Sequence, residues 1–136
     1  IMVRSACEKI GDACLLLGIV SPNEIQNVYH HADLVVMPSD FEEPFGMVAI
    51  EAMAAGVPVM VAKKGGLVEF IEDRKTGMFI RQPDDPLAFS DQLNEVLNND
   101  RLLTEVPQNA RQQVENCFTW EIVAKRTEEA FASVMN

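Results

Sequence analysis

Residues 44–62 carry one charge, Glu51, in a run that is otherwise apolar or small. A membrane span needs roughly 20 such residues, so the run is long enough to suggest one. Gly56-Val57-Pro58 inside it rules out a single helix, because Gly closes helices and Pro cannot continue them. The run therefore divides into an apolar helix, residues 45–55, and a strand, residues 57–62. A short apolar strand directly after a helix is the unit of an α/β sheet.

The rest of the chain repeats that unit. Apolar runs at residues 14–18, 33–38 and 77–80 read as further buried strands; Gly18 ends the first and Pro38 halts the second. Ser21-Pro22-Asn23-Glu24 opens a helix, with Ser21 as N-cap, Pro22 at the first helical position and Glu24 closing a capping box. Ile25, Val28, Tyr29 and Ala32 form its apolar face. His30 and His31 fall at its C-terminus, where cations suit the dipole. Gly65-Gly66 turns the chain into a short helix, residues 67–72, in which Glu69 caps or contacts a ligand. Asp85-Pro86 starts a helix that turns Leu87, Phe89, Leu93, Val96 and Leu97 inward. Another helix spans residues 102–115. Thr119 caps the last, with Trp120, Val123, Thr127, Phe131 and Val134 at helical steps and Trp120 in the core. The seven methionines read as gap-filling core residues. Continuous apolar strands separated by helices predict a parallel sheet covered on both faces. Ligands of such sheets bind beyond the carboxyl ends of the strands.

Composition narrows the function classes. At 136 residues and 48% hydrophobic, the chain suits a single folded domain. A net charge of −10 disfavours binding to nucleic-acid backbones or anionic membranes, both of which require surplus Lys and Arg. Cys7, Cys14 and Cys117 show no C-x-x-C spacing, which fits a reducing, cytoplasmic setting and no zinc site. No charged leader with an apolar run and cleavage site marks a signal peptide, and no transmembrane segment is expected.

The chemistry concentrates around the first apolar helix. With apolar or small residues on every face except at Glu51, that helix is expected to be buried. A carboxylate there is costly unless it is paired or reaches an opening. Glu43 precedes the helix, where the dipole favours an anion. Gly46 allows a ligand close to the backbone, and the N–H groups of Phe45, Gly46 and Met47 are free donors for phosphate or hydroxyl oxygens. A plainer alternative stays open: Glu43 only decorates a helix terminus, and Glu51 is a core residue paired with a backbone donor.

Glu43-Pro44-Phe45-Gly46-Met47-Val48-Ala49-Ile50-Glu51, followed through Gly56 to Pro58, resembles the E-x7-E signature of retaining nucleotide-sugar glycosyltransferases of the GT-B fold, family 4 (group 1). Leu16-Leu17-Gly18-Ile19-Val20, Tyr29 to Asp33, Met37-Pro38-Ser39, Gly65-Gly66-Leu67-Val68-Glu69, Thr76-Gly77 and Phe118-Thr119-Trp120 fall in the family's order and spacing. The resemblance implies a Rossmann-like parallel sheet with helices on both faces: the C-terminal, donor-binding domain of the GT-B fold, here residues 1–136 without its first two strand–helix units. It implies that Glu43 holds hydroxyls of the donor sugar beside the reacting carbon. The amides of Phe45, Gly46 and Met47 would hold sugar and phosphate. Glu51 would accept hydrogen bonds from the ribose, and Val20 and Val48 would lie against base and ribose. The donor would be a UDP-, GDP- or ADP-sugar, transferred with retention through a short-lived oxocarbenium-like ion pair. No cofactor or metal is implied, and the sequence has no D-x-D pair for Mg²⁺.

The departures carry expectations of their own. No Lys or Arg stands between Lys9 and Lys63, and the family's cations for the leaving diphosphate belong to the missing units. Lys63, Lys64 and Arg74 read as exposed loop charges. The acceptor, whether a sugar, a lipid-linked sugar or a protein, would bind an N-terminal domain absent here, so the isolated chain is expected to be inactive. In the family's sheet the strand at 14–18 is separated from that at 33–38 by missing strands. Either the two pair directly here, or another chain fills the gap. Rival functions are a nucleotide-sugar isomerase of the 2-epimerase type, and a non-catalytic nucleotide-binding subunit.

Overall fold

The computed structural model describes residues 2–135. Helix α1 (Met2–Ile10) runs into a single 3₁₀ turn (Gly11–Ala13). Then follow α2 (Ile25–His30), β1 (Val35–Met37), α3 (Met47–Ala54), β2 (Val59–Val61), α4 (Leu67–Phe70) and β3 (Met78–Phe79). Helices α5 (Pro86–Leu97), α6 (Asp100–Cys117) and α7 (Trp120–Val134) complete the chain. The strands form one parallel sheet in the order β1-β2-β3, with Val35 opposite Val59 and Met60 opposite Met78.

Alternation along the strands divides the interior into two cores, as the side-chain period of two requires. Val59 and Val61 face one side with Tyr29, Ala49, Ile50, Ala52, Met53, Leu67, Phe70, Ala110 and Val114. Met60 faces the other with Met78, Ile80, Val96, Leu102 and Val106. Both faces of the sheet are therefore covered, and α6 contributes to both cores. Its buried stripe continues through Pro107, which lies inside the helix.

The caps follow the sequence in part. Asp85 accepts from the N–H groups of Leu87 and Ala88, Asn99 from Leu102, and Thr119 from Ile122. Ser21 Oγ accepts from the N–H of Asn23, but residues 22–24 form a turn and α2 begins only at Ile25. Glu24 therefore closes no capping box.

Four expectations fail because the apolar pattern exceeds what the fold buries; the first is that Leu87 and Leu97 turn inward on α5, whereas they are 79% and 43% exposed. The run at 14–18 forms no strand. It pairs neither with β1 nor elsewhere in the sheet, and Leu15, Leu16 and Leu17 are exposed. Trp120 is 84% exposed rather than in the core, and α7 has no buried residue. Helix α3 is buried on one face only: Ala49, Ile50, Ala52 and Met53 are inside, while Met47 and Val48 are exposed and Glu51 lies on the outer surface. Of the methionines, Met53, Met60 and Met78 fill the cores, whereas Met47 and Met135 are exposed. No helix among the described residues is long and apolar enough to cross a membrane.

Candidate functional site

The loops after β1 and β2, two adjacent parallel strands, meet at their carboxyl ends, where open parallel sheets bind ligands. The first loop carries Glu43. The second carries Lys63, Lys64, Gly65 and Gly66, and the two are clamped together. The Gly66 N–H donates to the Glu43 carbonyl at 2.7 Å, the Gly65 N–H donates to the Glu42 carboxylate, and Lys64 Nζ donates to the Asp40 carbonyl at 2.7 Å. The glycines are required by contact. A Cβ on Gly65 would strike the backbone of Glu43, and one on Gly66 would lie 2.6 Å from the Pro44 carbonyl oxygen.

An aromatic cluster anchors the other end of the Glu43 loop. The Phe45 ring packs against Phe70 and Phe118, each at 5.9 Å between centroids, and those two rings lie 5.6 Å apart. Gly46 then enters α3 with φ +93°, and the Leu67 side chain occupies the place of its missing Cβ. The turn leaves the N–H groups of Phe45, Gly46 and Met47 without an acceptor among the described residues. The amides sit at the positive end of the helix dipole.

The two carboxylates differ in setting. Glu43 is half-buried, and Ser39 Oγ donates to its Oε2 over 3.4 Å. Glu51 lies on the outer face of α3 and accepts a hydrogen bond from the Tyr29 hydroxyl at 2.9 Å. Burial, and after it the bond to Glu51 and the charge of that group, pushes the Tyr29 hydroxyl up to about 12. Beside this pair opens a cavity of about 430 Å³ lined by Pro22, Ile25, Tyr29, Glu51, Ala54 and Arg111, among others. Arg111 pairs with Glu115 at 2.9 Å.

Val20 is half-buried in the segment before α2 and does not line that cavity, whereas Val48 is 43% exposed on α3. The cations that the sequence placed near the loop are engaged: Lys64 with Asp40, Lys63 with the Phe79 ring at 5.5 Å, and Arg74 with Glu95 at 2.6 Å. Glu69 is exposed in the first turn of α4 and makes no capping bond. The His31 ring lies 2.6 Å from the Asn27 carbonyl. In the sequence Tyr29 reads only as part of an apolar stripe; its link to Glu51 appears in the structure. A signal existed: a buried Tyr hydroxyl needs a partner, and the neighbouring apolar helix contains one carboxylate.

These features define a Rossmann-like α/β domain whose candidate site is a glycine-clamped acidic loop at the mouth of a helix. The chain belongs to the glycosyl transferases group 1 family, to which residues 4–113 match, and it has the fold of the C-terminal domain of GT-B glycosyltransferases. It is 41% identical to a lipopolysaccharide 1,2-N-acetylglucosaminetransferase of Salmonella typhimurium, over 93% of this chain and 33% of that protein. Among solved structures it is similar to Anabaena Alr3699/HepE in complex with UDP-glucose, with TM-score 0.84 and 25% identity over 96% of this chain and 36% of that one. It is likewise similar to the C-terminal domain of a glycosyl transferase group 1 family protein (LpcC) of Francisella tularensis, with TM-score 0.66 and 30% identity over 77% of this chain and 53% of that one. The chain spans about a third of the length of the first curated relatives it matches.

Proposed function

We propose that this chain is the donor-binding part of a longer glycosyltransferase that moves a hexosyl group from a nucleoside-diphosphate sugar to an acceptor with retention of configuration. The observation that carries the reading is the clamped loop: Glu43, the Gly46 turn and the unpaired amides of Phe45, Gly46 and Met47 converge at one helix mouth. Anions and hydroxyl oxygens suit those amides. The charge of Glu43 suits the hydroxyls of a sugar and the positive character that develops on its reacting carbon. Glu51, farther along α3, suits the ribose. Val48, exposed on α3, and Val20, in the segment before α2, are assigned as apolar surface for base and ribose.

The mechanism needs positive charge on the departing diphosphate. Lys64 donates to the Asp40 carbonyl and Lys63 lies over the Phe79 ring, and the α3 amides add positive charge at the mouth. Further cations, and the acceptor site, belong in this reading to parts of the enzyme outside the chain, and the chain alone is expected to be inactive. No metal is assigned: the helix amides and those outside cations take the role of Mg²⁺. The free cysteines accord with a cytoplasmic setting.

The test is donor titration and turnover in the full-length enzyme. Glu43→Ala is expected to lower kcat about 100-fold with little change in donor affinity, the scale of losing one transition-state group. Glu51→Ala is expected to raise the donor KM about tenfold, the scale of a lost charge-assisted hydrogen bond. An unchanged kcat in the first variant removes Glu43 from the reaction centre. Product formed without any acceptor favours an isomerase instead.

A further inference from the structure

Glu51 is an unusual ligand-binding group because nothing on its own helix holds it. It projects from the exposed face of α3, and a free glutamate loses considerable rotamer entropy on engaging a ligand. Tyr29 removes that problem. Its ring is 7% exposed and packed in the core with Ala49, Ile50, Ala52 and Met53, while its hydroxyl emerges at the cavity and donates to Glu51 Oε2 at 2.9 Å. A buried ring thus fixes an exposed carboxylate. We infer that Tyr29 is the positioning residue that pre-orients Glu51 for the 2′- and 3′-hydroxyls of the donor's ribose. The inference rests on the proposed ribose role of Glu51.

The chemistry favours this arrangement over an ion pair. A cation on Glu51 would compete with hydroxyl donors for its charge. Arg111 lines the same cavity, yet it pairs with Glu115. The phenol occupies one lone pair of Oε2 and leaves Oε1 open, so the carboxylate keeps its capacity for further donors. Preorganisation of this kind raises affinity by lowering the ordering cost, without a new contact to the ligand.

The experiment uses the full-length enzyme with UDP and 2′-deoxy-UDP as probes, in wild type, Tyr29→Phe, Glu51→Ala and the double variant. Wild type is expected to prefer UDP at least tenfold. In Tyr29→Phe the preference is expected to shrink below threefold, with UDP affinity down about tenfold and kcat at saturating donor within twofold. In the Glu51→Ala background, Tyr29→Phe is expected to change nothing, whereas a packing defect would weaken UDP equally in both backgrounds. A full preference retained by Tyr29→Phe overturns the positioning role and leaves the ribose role of Glu51 standing. No preference in wild type overturns the ribose role, and the inference with it. A Tyr29→Phe protein that does not fold also overturns the inference, since a hydroxyl that only holds an exposed carboxylate is dispensable to the fold.

Discussion

At the scale of single residues, the pairing of Tyr29 with Glu51 has a consequence for stability against pH. The hydroxyl, ordinarily titrating near 10, is pushed up to about 12 in the folded chain. The folded state therefore holds a proton that the unfolded chain releases from about pH 10 upward. Its stabilising contribution is complete below pH 10 and is lost as pH rises towards 12. Denaturant unfolding at pH 9, 10 and 11 is expected to show a falling limb in wild type that is shallower in Tyr29→Phe. Parallel curves for the two proteins would show that the hydroxyl is not held by the fold. The candidate residues are readable one at a time: a lone carboxylate in an apolar helix, an acidic residue before it and a glycine at its mouth. The hydrogen bond between Tyr29 and Glu51 is not, because it spans 22 positions and depends on how α2 lies beside α3.

At the scale of elements, the site depends on contacts between loops. Gly66 has φ −63°, so alanine there meets no backbone strain; its obstacle is the Pro44 carbonyl. Gly66→Ala is expected to displace the Glu43 loop, costing about 1–3 kcal/mol as overpacking does. A fall of several degrees in melting temperature and a larger loss in turnover would follow. Unchanged turnover would show that the clamp does not position Glu43. The outer edge of β3 is closed by side chains rather than by a strand. Asp73 accepts from the Phe79 N–H at 2.8 Å. Buried Gln92 accepts from the Arg81 N–H at 2.9 Å and donates to the Phe79 carbonyl at 2.7 Å. Gln92→Leu leaves two backbone groups unsatisfied and is expected to destabilise by about 1–3 kcal/mol, read by urea unfolding. An unaffected midpoint would mean that water replaces the amide freely. Periodicity located both elements but not the Gln92 bridge, since a polar residue on a helix reads as solvated until the facing strand edge is known.

At the scale of the whole molecule, apolar side chains stand exposed on two elements. Leu15, Leu16, Leu17 and Ile19 are exposed in the segment before α2, and Val123, Phe131 and Val134 line an open face of α7. Exposed apolar side chains grouped on one segment or helix face favour association. The 136-residue chain on its own is expected to self-associate at micromolar concentration and to bind a hydrophobic dye, as measured by light scattering and fluorescence. A monodisperse, dye-free monomer would show that these faces are covered within the chain.

The pattern of residues by itself determined the parallel α/β architecture, three of the four expected strands, the late helices with their Asp85 and Thr119 caps, and the acidic helix mouth. These are local signals, set by neighbours in sequence. Only the tertiary structure decided which apolar runs are buried. Residues 14–18 and α7 carry the composition of core elements, yet burial requires a surface that covers them, and their contacts with α1 and α6 leave most of their side chains exposed. For the same reason α3 is buried on one side and presents Glu51 on the other: its composition is apolar all round, but the sheet and α6 can cover only the face turned towards them.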